Sequence, residues 1–201
     1  QMPPPDIREI RTSLPEPLIA LTTYPPVTTV STASVLTGAS PAVHGADRRG
    51  IRMTEVETIF DVADAARLAV KAVEGEALAF QLRGADFELS GDRNGNEMTD
   101  DEVLQNALAV IASGVPDLFW VHFHGIDDAG HTYGPGNPQE LEVVRYVDSA
   151  VGELLEAMPE GSLVLIFADH GMHAVDEDGR RGNHGHLIPL DMLIPIFVVH
   201  R

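Results

Sequence analysis

The sequence lacks cysteine, has a single lysine at Lys71 and contains no long apolar run. Without cysteine, disulfide bonds and thiolate metal ligands are excluded. Thirteen basic residues against 31 acidic residues give a formal net charge of −18, so we expect no basic face that binds a nucleic-acid polymer. A membrane-spanning helix needs roughly 18 consecutive apolar residues, and we therefore expect no membrane segment.

The acidic charge has two explanations. One is an acidic surface that keeps the protein soluble or suits it to high salt concentrations. If the substrate is instead a phosphate ester, the chain would repel it at long range, and local cations would have to supply the attraction. Metal ligands are therefore a feature to look for. A composition of 44% apolar and 22% charged residues is typical of a globular chain, and we expect residues 1–201 to form a single domain.

The C-terminal half alternates between apolar runs and a helical pattern. Asn137 and Pro138 predict the start of a helix, and apolar residues recur at helical spacing as far as Met158. In the last apolar run, Pro195 indicates an edge or a strand start. Three short apolar runs predict buried strands: 117–123, 162–168 and 192–199.

The N-terminal half carries weaker patterns. Residues 57–73 predict an amphipathic helix, and residues 99–112 predict another, opened by a capping box from Thr99 to Glu102. Two short runs, 76–82 and 85–90, predict strands. Strands that alternate with helices predict an α/β fold, here a three-layer sandwich with a mostly parallel central sheet.

One loop imitates the start of a calcium-binding loop, with Asp92, Asn94 and Asn96 at alternate positions. Its sixth position holds Glu97, where that loop needs glycine, and its twelfth position holds Val103, where it needs glutamate. The pattern therefore fails, and we interpret the segment as a turn-rich surface loop.

Carboxylates and histidines follow the predicted strands. Asp127 and His131 come after the first strand, and Asp169 and His170 stand directly at the end of the second. Two further histidines, His184 and His186, precede the last strand. Ligands of open α/β sheets bind beyond the carboxyl ends of strands, and carboxylate and imidazole ligands without thiolates are typical of a catalytic divalent-metal site. Asp169 alone could cap a turn, and a single histidine could be an ordinary loop residue.

A hydroxyl-rich segment, PPVTTVSTASVLTGASPAVHG, lies at residues 25–45. Six serine and threonine residues precede Gly38, and Pro41 and His44-Gly45 follow. The segment suits the capped start of a helix. It also suits a hydroxyl nucleophile placed at such a start, and the sequence pattern alone leaves both interpretations open.

These motifs resemble those of the alkaline phosphatase superfamily, specifically its type I phosphodiesterase/nucleotide pyrophosphatase family. The family's nucleophile segment has a threonine nine residues before a Thr-Gly, which selects Thr28. The segments DDAGHTYGP and ADHGM are similar to its two Asp/His blocks. The segment HGHLIPLDMLIP resembles its last histidine block and selects His184 over His186.

The resemblance implies an alkaline-phosphatase-like fold and two divalent metal ions, with zinc expected. One ion would be held by Asp127, His131 and His184. The other would be held by Asp169, His170, the Thr28 oxygen and a further aspartate. The implied activity is hydrolysis of a small-molecule phosphodiester or nucleotide pyrophosphate, with Thr28 as nucleophile.

Two departures from the family pattern affect this expectation. The further aspartate usually ends an apolar first strand, which this sequence lacks, and Asp6 is a poor substitute. We therefore expect a chain truncated at its N-terminus. Ser31 stands where nucleotide-cleaving relatives commonly carry an asparagine that contacts a phosphate oxygen, so we expect Ser31 to bind substrate through its hydroxyl.

The proposed chemistry has alternatives. Sulfatases need a Cys/Ser-x-Pro-x-Arg segment, which is absent from this sequence. Relatives of cofactor-independent phosphoglycerate mutase use serine where this chain has threonine. A phosphonoacetate-type C–P hydrolase, and an inactive fragment that binds a metal ion and phosphate, stay open. Compartment and oligomeric state are not predicted.

Overall fold

The computed structural model describes residues 14–75, 78, 80–177 and 179–201. Two three-stranded sheets form the framework. One has the order β1 (Leu18–Leu21), β8 (Leu193–His200), β5 (Leu163–Phe167), and both of its strand pairs are antiparallel. The other has the order β3 (Asp86–Ser90), β2 (Val70–Gly75), β4 (Leu118–Val121), with parallel pairs.

The helices connect and cover these strands, and a short antiparallel hairpin lies near the carboxyl end of β5. The helices are α1 (Thr28–Thr37), α2 (Pro41–His44), α3 (Ile59–Ala65), α4 (Asp100–Ser113), α5 (Gly125–Tyr133), α6 (Pro138–Ala157) and α7 (Pro189–Met192). The hairpin pairs β6 (His173–Glu177) with β7 (Arg180–Asn183). Within the described ranges, no helix combines the length and apolar character needed to cross a bilayer.

The α/β class is confirmed, but the prediction of a mostly parallel sheet holds for only one of the two sheets. The last strand, β8, reverses direction and lies between β1 and β5. Pro195 was predicted at an edge or strand start. It lies near the start of a central strand, opposite Ile19 and beyond the part of β8 that pairs with β5. Its missing N–H therefore removes no hydrogen bond to β5.

The predicted helix over residues 57–73 is wrong in its second half. The helix ends at Ala65, and Arg67 follows with a φ of 60°, a left-handed conformation that ends helices. Residues 70–75 form β2 instead, because this segment is central in a parallel sheet and packs its apolar side chains on both faces. Tertiary pairing here overrides a helical periodicity.

Two smaller predictions also need correction. The side chain of Thr99 makes no capping hydrogen bond within the described part of the chain, because its ψ of −8° is helical and not extended. The Glu102 carboxylate accepts a hydrogen bond from the Arg93 N–H instead. The strand predicted at 76–82 lies partly outside the described residues, and its described positions form no strand.

The core lies on both sides of the parallel sheet. Phe60 and Phe80 are fully buried against one face, and Val73 and Val103 are fully buried on the α4 side. Trp120 of β4 contacts Phe167 of β5 edge-on, with ring centroids 6.1 Å apart. This contact links the two sheets, so the polar segments that follow β4 and β5 lie near each other.

Candidate metal centre

Four segments bring the predicted site residues together. Helix α5 begins shortly after β4 and carries Asp127 and His131 one turn apart. Asp169 and His170 follow β5, and His184 follows β7. Thr28 is the first residue of α1. We call these six residues the Thr28 cluster.

Asp127 is the shared carboxylate at one side of the Thr28 cluster. Its Oδ2 lies 3.3 Å from His131 Nε2, and its Oδ1 lies 3.6 Å from His184 Nε2. The side chain of His184 is buried, whereas 36% of the Asp127 side chain is exposed. The carboxylate therefore faces two imidazoles on one side and an accessible surface on the other.

His170 contacts both Thr28 and Asp169. Its Nε2 lies 3.2 Å from Thr28 Oγ1 and 3.4 Å from Asp169 Oδ2. The rings of His170 and His184 stack with centroids 3.7 Å apart. Ligand atoms of Asp127, His170 and His184 all lie within 4.8 Å of one another. The hydroxyl of Thr28 thus borders a group that could hold a metal ion.

The three histidines share one hydrogen-bonding arrangement. Each Nδ1 lies against a backbone carbonyl: His131 at 2.8 Å from Gly182, His170 at 3.0 Å from Gly171, and His184 at 2.9 Å from Pro26. A carbonyl only accepts, so each Nδ1 must donate. In the neutral ring, Nε2 then carries a lone pair, which is the tautomer that a metal-binding histidine needs.

This arrangement fits a bound cation. Three Nε2 lone pairs face carboxylate oxygens at 3.3–3.6 Å, and an ionised carboxylate has no proton to donate. Asp127 Oδ1 and Asp169 Oδ2 are buried and have no hydrogen-bond partner among the described residues. Buried acceptors without donors are unfavourable unless a proton or a cation lies between them.

The electrostatics of His184 favour its neutral form. Burial and the neighbouring His170 lower the pKa of His184 to about 4, against the opposing effects of Pro26 and Asp127. Arg49 Nη2 lies 3.0 Å from His184 Nε2. Burial and Arg180 lower the pKa of Arg49, while Asp127 raises it, and the guanidinium still carries its charge near neutral pH.

Ser31 has a different setting from the one that the sequence predicts. It is buried, and its hydroxyl lies 3.0 Å from the hydroxyl of Thr22. Thr22 in turn donates to the Asp169 carbonyl. This chain of bonds fastens α1 to the segment that carries Asp169 and His170. A substrate contact of Ser31 stays a prediction.

Two neighbours of the cluster were not found from the sequence. Arg49 reaches His184, and Thr22 connects Ser31 to Asp169. The adjacent arginines Arg48 and Arg49, after His44-Gly45, were the available signal in a chain poor in basic residues. Thr22 belongs to no motif, and only folding brings it near.

The predicted division of ligands between two ions also stays a prediction. The sequence grouped His131 and His184 with Asp127, and His170 with Asp169. The structure shows both pairings, and it also places His170 and His184 in direct ring contact. The two expected ion positions would therefore lie side by side. Asp6, the candidate for a further ligand, lies outside the described residues.

Comparison of the fold with solved structures shows an alkaline-phosphatase-like architecture. Human ectonucleotide pyrophosphatase/phosphodiesterase 5 matches with a TM-score of 0.68 and 13% identity, covering 98% of this chain and 82% of that one. A 2-O GAG sulfatase matches with a TM-score of 0.66 and 14% identity, covering 97% and 58%. At such low identity the agreement concerns the fold alone.

The sequence comparison then identifies the family. The profile of the type I phosphodiesterase/nucleotide pyrophosphatase family matches residues 82–195, more than half of the chain. The chain belongs to this family. The matched range contains both Asp/His pairs and His184, while Thr28 lies before it.

Curated relatives share shorter segments. Human ectonucleotide pyrophosphatase/phosphodiesterase family member 7 is 41% identical over 66 residues, which is 30% of this chain and 14% of that protein. The human GPI ethanolamine phosphate transferase 3 catalytic subunit is 26% identical over 102 residues, which is 51% of this chain and 9% of that protein. The matches thus span only a small part of the length of these relatives.

Proposed function

We propose that this protein is a metal-dependent phosphohydrolase that cleaves phosphodiester or nucleotide pyrophosphate bonds with Thr28 as nucleophile. One observation carries the proposal: Thr28 Oγ1 lies 3.2 Å from His170 Nε2, at the edge of a group whose nitrogen and oxygen lone pairs converge. Membership in the type I phosphodiesterase/nucleotide pyrophosphatase family supports the class of reaction.

Two divalent ions, with zinc expected, would be held by the residues of the Thr28 cluster. The donor set contains only imidazole nitrogens and carboxylate and hydroxyl oxygens, which suits zinc at a catalytic site. Asp127, His131 and His184 would hold one ion, and Asp169, His170 and Thr28 the other. Such ions lower the pKa of a hydroxyl nucleophile and offset charge on the transferring phosphoryl oxygens.

Thr28 performs the chemistry in this proposal. Its oxygen attacks phosphorus in line as the bond to the departing oxygen breaks, which leaves a phosphoryl group on Thr28. Water then attacks the same phosphorus and releases the threonine oxygen. Two inversions give net retention. Thr28 also opens α1, and the first turn of a helix presents N–H groups that favour anionic phosphoryl oxygens.

Arg49 supplies positive charge beside this position. Its guanidinium lies against His184 and close enough to Asp127 for their charges to interact. In a chain with a net charge of −18, a local cation of this kind would help to attract an anionic substrate. Arginine suits this role because its planar donors match phosphoryl oxygens in pairs.

The test is replacement of Thr28. We expect Thr28→Ala to lower turnover of the chromogenic diester bis(p-nitrophenyl) phosphate by at least about 10³-fold, the scale on which loss of a nucleophile acts. Thr29→Ala is the matched control, because the Thr29 hydroxyl donates to the Arg48 carbonyl and Thr29 is not part of the Thr28 cluster. Undiminished turnover by Thr28→Ala would remove Thr28 from the mechanism.

Group transfer is a second candidate, since GPI ethanolamine phosphate transferase 3 is among the relatives. A phosphonoacetate hydrolase from Sinorhizobium meliloti 1021 also shares the fold, with a TM-score of 0.54 and 20% identity over 84% of this chain. Three activities must be separated: phosphodiester hydrolysis, group transfer and C–P hydrolysis. We would assay the diester with and without an added alcohol acceptor, and then assay a phosphonate substrate. An alkylated phosphate product supports transfer, and cleavage of the phosphonate alone supports the C–P hydrolase.

A further inference from the structure

A second group of histidines and a carboxylate lies outside the Thr28 cluster. Glu74 is the last residue but one of β2, and His122 and His124 follow β4, the strand that pairs with β2. One ligand atom from each of the three side chains lies within 4.8 Å of the other two. We call these three residues the Glu74 cluster.

The Glu74 carboxylate is fully buried and held by its neighbours. Trp120 Nε1 donates to its Oε1 at 2.9 Å, and His122 Nδ1 lies 3.5 Å from the same oxygen. Burial raises the pKa of Glu74, but His122 and Trp120 lower it by more. The carboxylate is therefore ionised at neutral pH, although it has no access to water.

Two imidazole nitrogens in this cluster are left without hydrogen bonds. His122 Nδ1 and His124 Nε2 are both buried and have no hydrogen-bond partner within the described ranges. The two rings are 4.1 Å apart between centroids. Buried polar nitrogens are normally satisfied, so two in one cluster beside an ionised carboxylate need an explanation.

The backbone around His124 is fixed in place. Asp100, which is fully buried, accepts hydrogen bonds from the N–H groups of His124 and Gly125, both at 2.9 Å. A Cβ added at Gly75 would lie 2.9 Å from Thr99 Oγ1, and one added at Gly125 would lie 2.6 Å from Asp100 Oδ2. The backbone of His124 is thus held in position before any ligand binds.

From this geometry we propose that Glu74, His122 and His124 form a separate binding site for a divalent transition-metal ion. Two imidazoles and one carboxylate are a ligand set that zinc, manganese, cobalt and ferrous iron all accept. The ion would join the carboxyl ends of β2 and β4.

The proposal goes beyond the phosphohydrolase proposal and does not depend on it. An ion pair between a protonated His122 and Glu74 is the competing explanation. Burial lowers the pKa of His122, and Glu74 raises it by more. That ion pair would give His122 Nδ1 a partner but would leave His124 Nε2 without one. It also predicts no additional metal ion.

The experiment measures metal content in purified protein loaded with Zn²⁺ or Co²⁺ and then gel-filtered. We expect the double variant Glu74→Gln/His124→Gln to retain one ion per chain fewer than the unsubstituted protein. The control variant Glu88→Gln/His200→Gln changes the same residue types at exposed positions and should lose none. Equal metal content in the unsubstituted protein and the Glu74/His124 variant would overturn the proposal.

A complementary variant separates the two sites. In Asp127→Asn/His170→Gln, the Thr28 cluster is disabled, and we expect one Co²⁺ per chain and its visible absorption bands to persist. Those bands should disappear when His124→Gln is added. If the Glu74→Gln change prevents folding, His124→Gln alone tests the same loss, with far-ultraviolet circular dichroism as the check on folding. Absence of any residual Co²⁺ after the Thr28 cluster is disabled would also count against the site.

Discussion

The Thr28 cluster and the Glu74 cluster both contain imidazoles and carboxylates that can bind metal, but they differ in what surrounds them. Around the Thr28 cluster, Asp127 keeps 36% of its side chain exposed and a hydroxyl lies beside His170. In the Glu74 cluster the carboxylate is fully buried and the neighbours are Trp120 and backbone held by Asp100. An ion in the first would meet substrate, while an ion in the second would mainly join strands.

The Thr28 cluster is therefore suited to reaction with substrate, and the Glu74 cluster is suited to stabilising the fold. A site that exposes a carboxylate and a nucleophile can exchange ligands with solvent and substrate. A site without exposure contributes binding free energy to the folded state. The following substitutions test this separation, beginning with the largest expected effect.

Asp127→Asn should have the largest effect on activity. The carboxylate is shared by His131 and His184, and the amide that replaces it is a weaker ligand without charge. We expect metal affinity to fall by more than the roughly 10–100-fold that loss of an outer hydrogen-bond partner costs, with diesterase activity falling in parallel. Titration with Zn²⁺ gives the metal affinity, and a rate assay at saturating metal gives the diesterase activity. Normal activity and metal content would place the reaction elsewhere.

Gly125→Ala should chiefly affect stability. The added Cβ would lie 2.6 Å from Asp100 Oδ2 and 3.1 Å from Val143 Cγ1, so the start of α5 or these side chains must shift. We expect a loss of about 1–3 kcal/mol in the free energy of unfolding, measured by urea denaturation. Gly152→Ala is the control, because a Cβ there meets nothing within 4 Å. Equal stability of the two variants would contradict this account.

Metal-free protein should lose stability as the pH falls from about 6.5 towards 4. The pKa of His184 in the folded chain is lowered to about 4, mainly by burial, while an unfolded histidine titrates near 6.5. The unfolded state therefore binds more protons in this window, and acid favours it. His184→Gln should flatten the dependence of the melting temperature on pH after chelation. An unchanged slope in this variant would show that other groups dominate.

Ser31→Ala should have the smallest effect. The Ser31 hydroxyl is buried and bonded to Thr22, so its loss should cost about 1 kcal/mol of stability and leave KM within about twofold. Thermal unfolding and steady-state kinetics separate this outcome from the substrate contact that the family pattern predicts. A raised KM without a change in stability would support the contact.

Sequence reasoning grouped the residues of the Thr28 cluster, which the fold brings close together, better than it located secondary structure. Short motifs such as Asp169-His170-Gly171 carry local chemistry that does not depend on partners. The strand at 70–75 was missed because its apolar residues also fit a helix, and only pairing with β3 and β4 decides between the two. The cap at Thr99 failed because the Thr99 backbone has a helical ψ of −8°, which the capping-box pattern does not reveal.

The Glu74 cluster shows the limit of motif reasoning. No sequence motif singled out Glu74, His122 or His124, and Glu74 lies just beyond the helix predicted at 57–73. Nothing in the local sequence relates Glu74 to two histidines about fifty positions later. Parallel pairing of β2 with β4 brings them together.

The sequence by itself determined the family, the absence of thiolate ligands and the identity of the residues that surround Thr28, because these depend on residue types and short spacings. Only the tertiary structure decided which lone pairs face each other, that Arg49 and Thr22 adjoin the cluster, and that Glu74 lies beside His122 and His124. Contacts between distant segments follow from strand pairing and burial, which act across the whole chain and leave little trace in any short stretch of it.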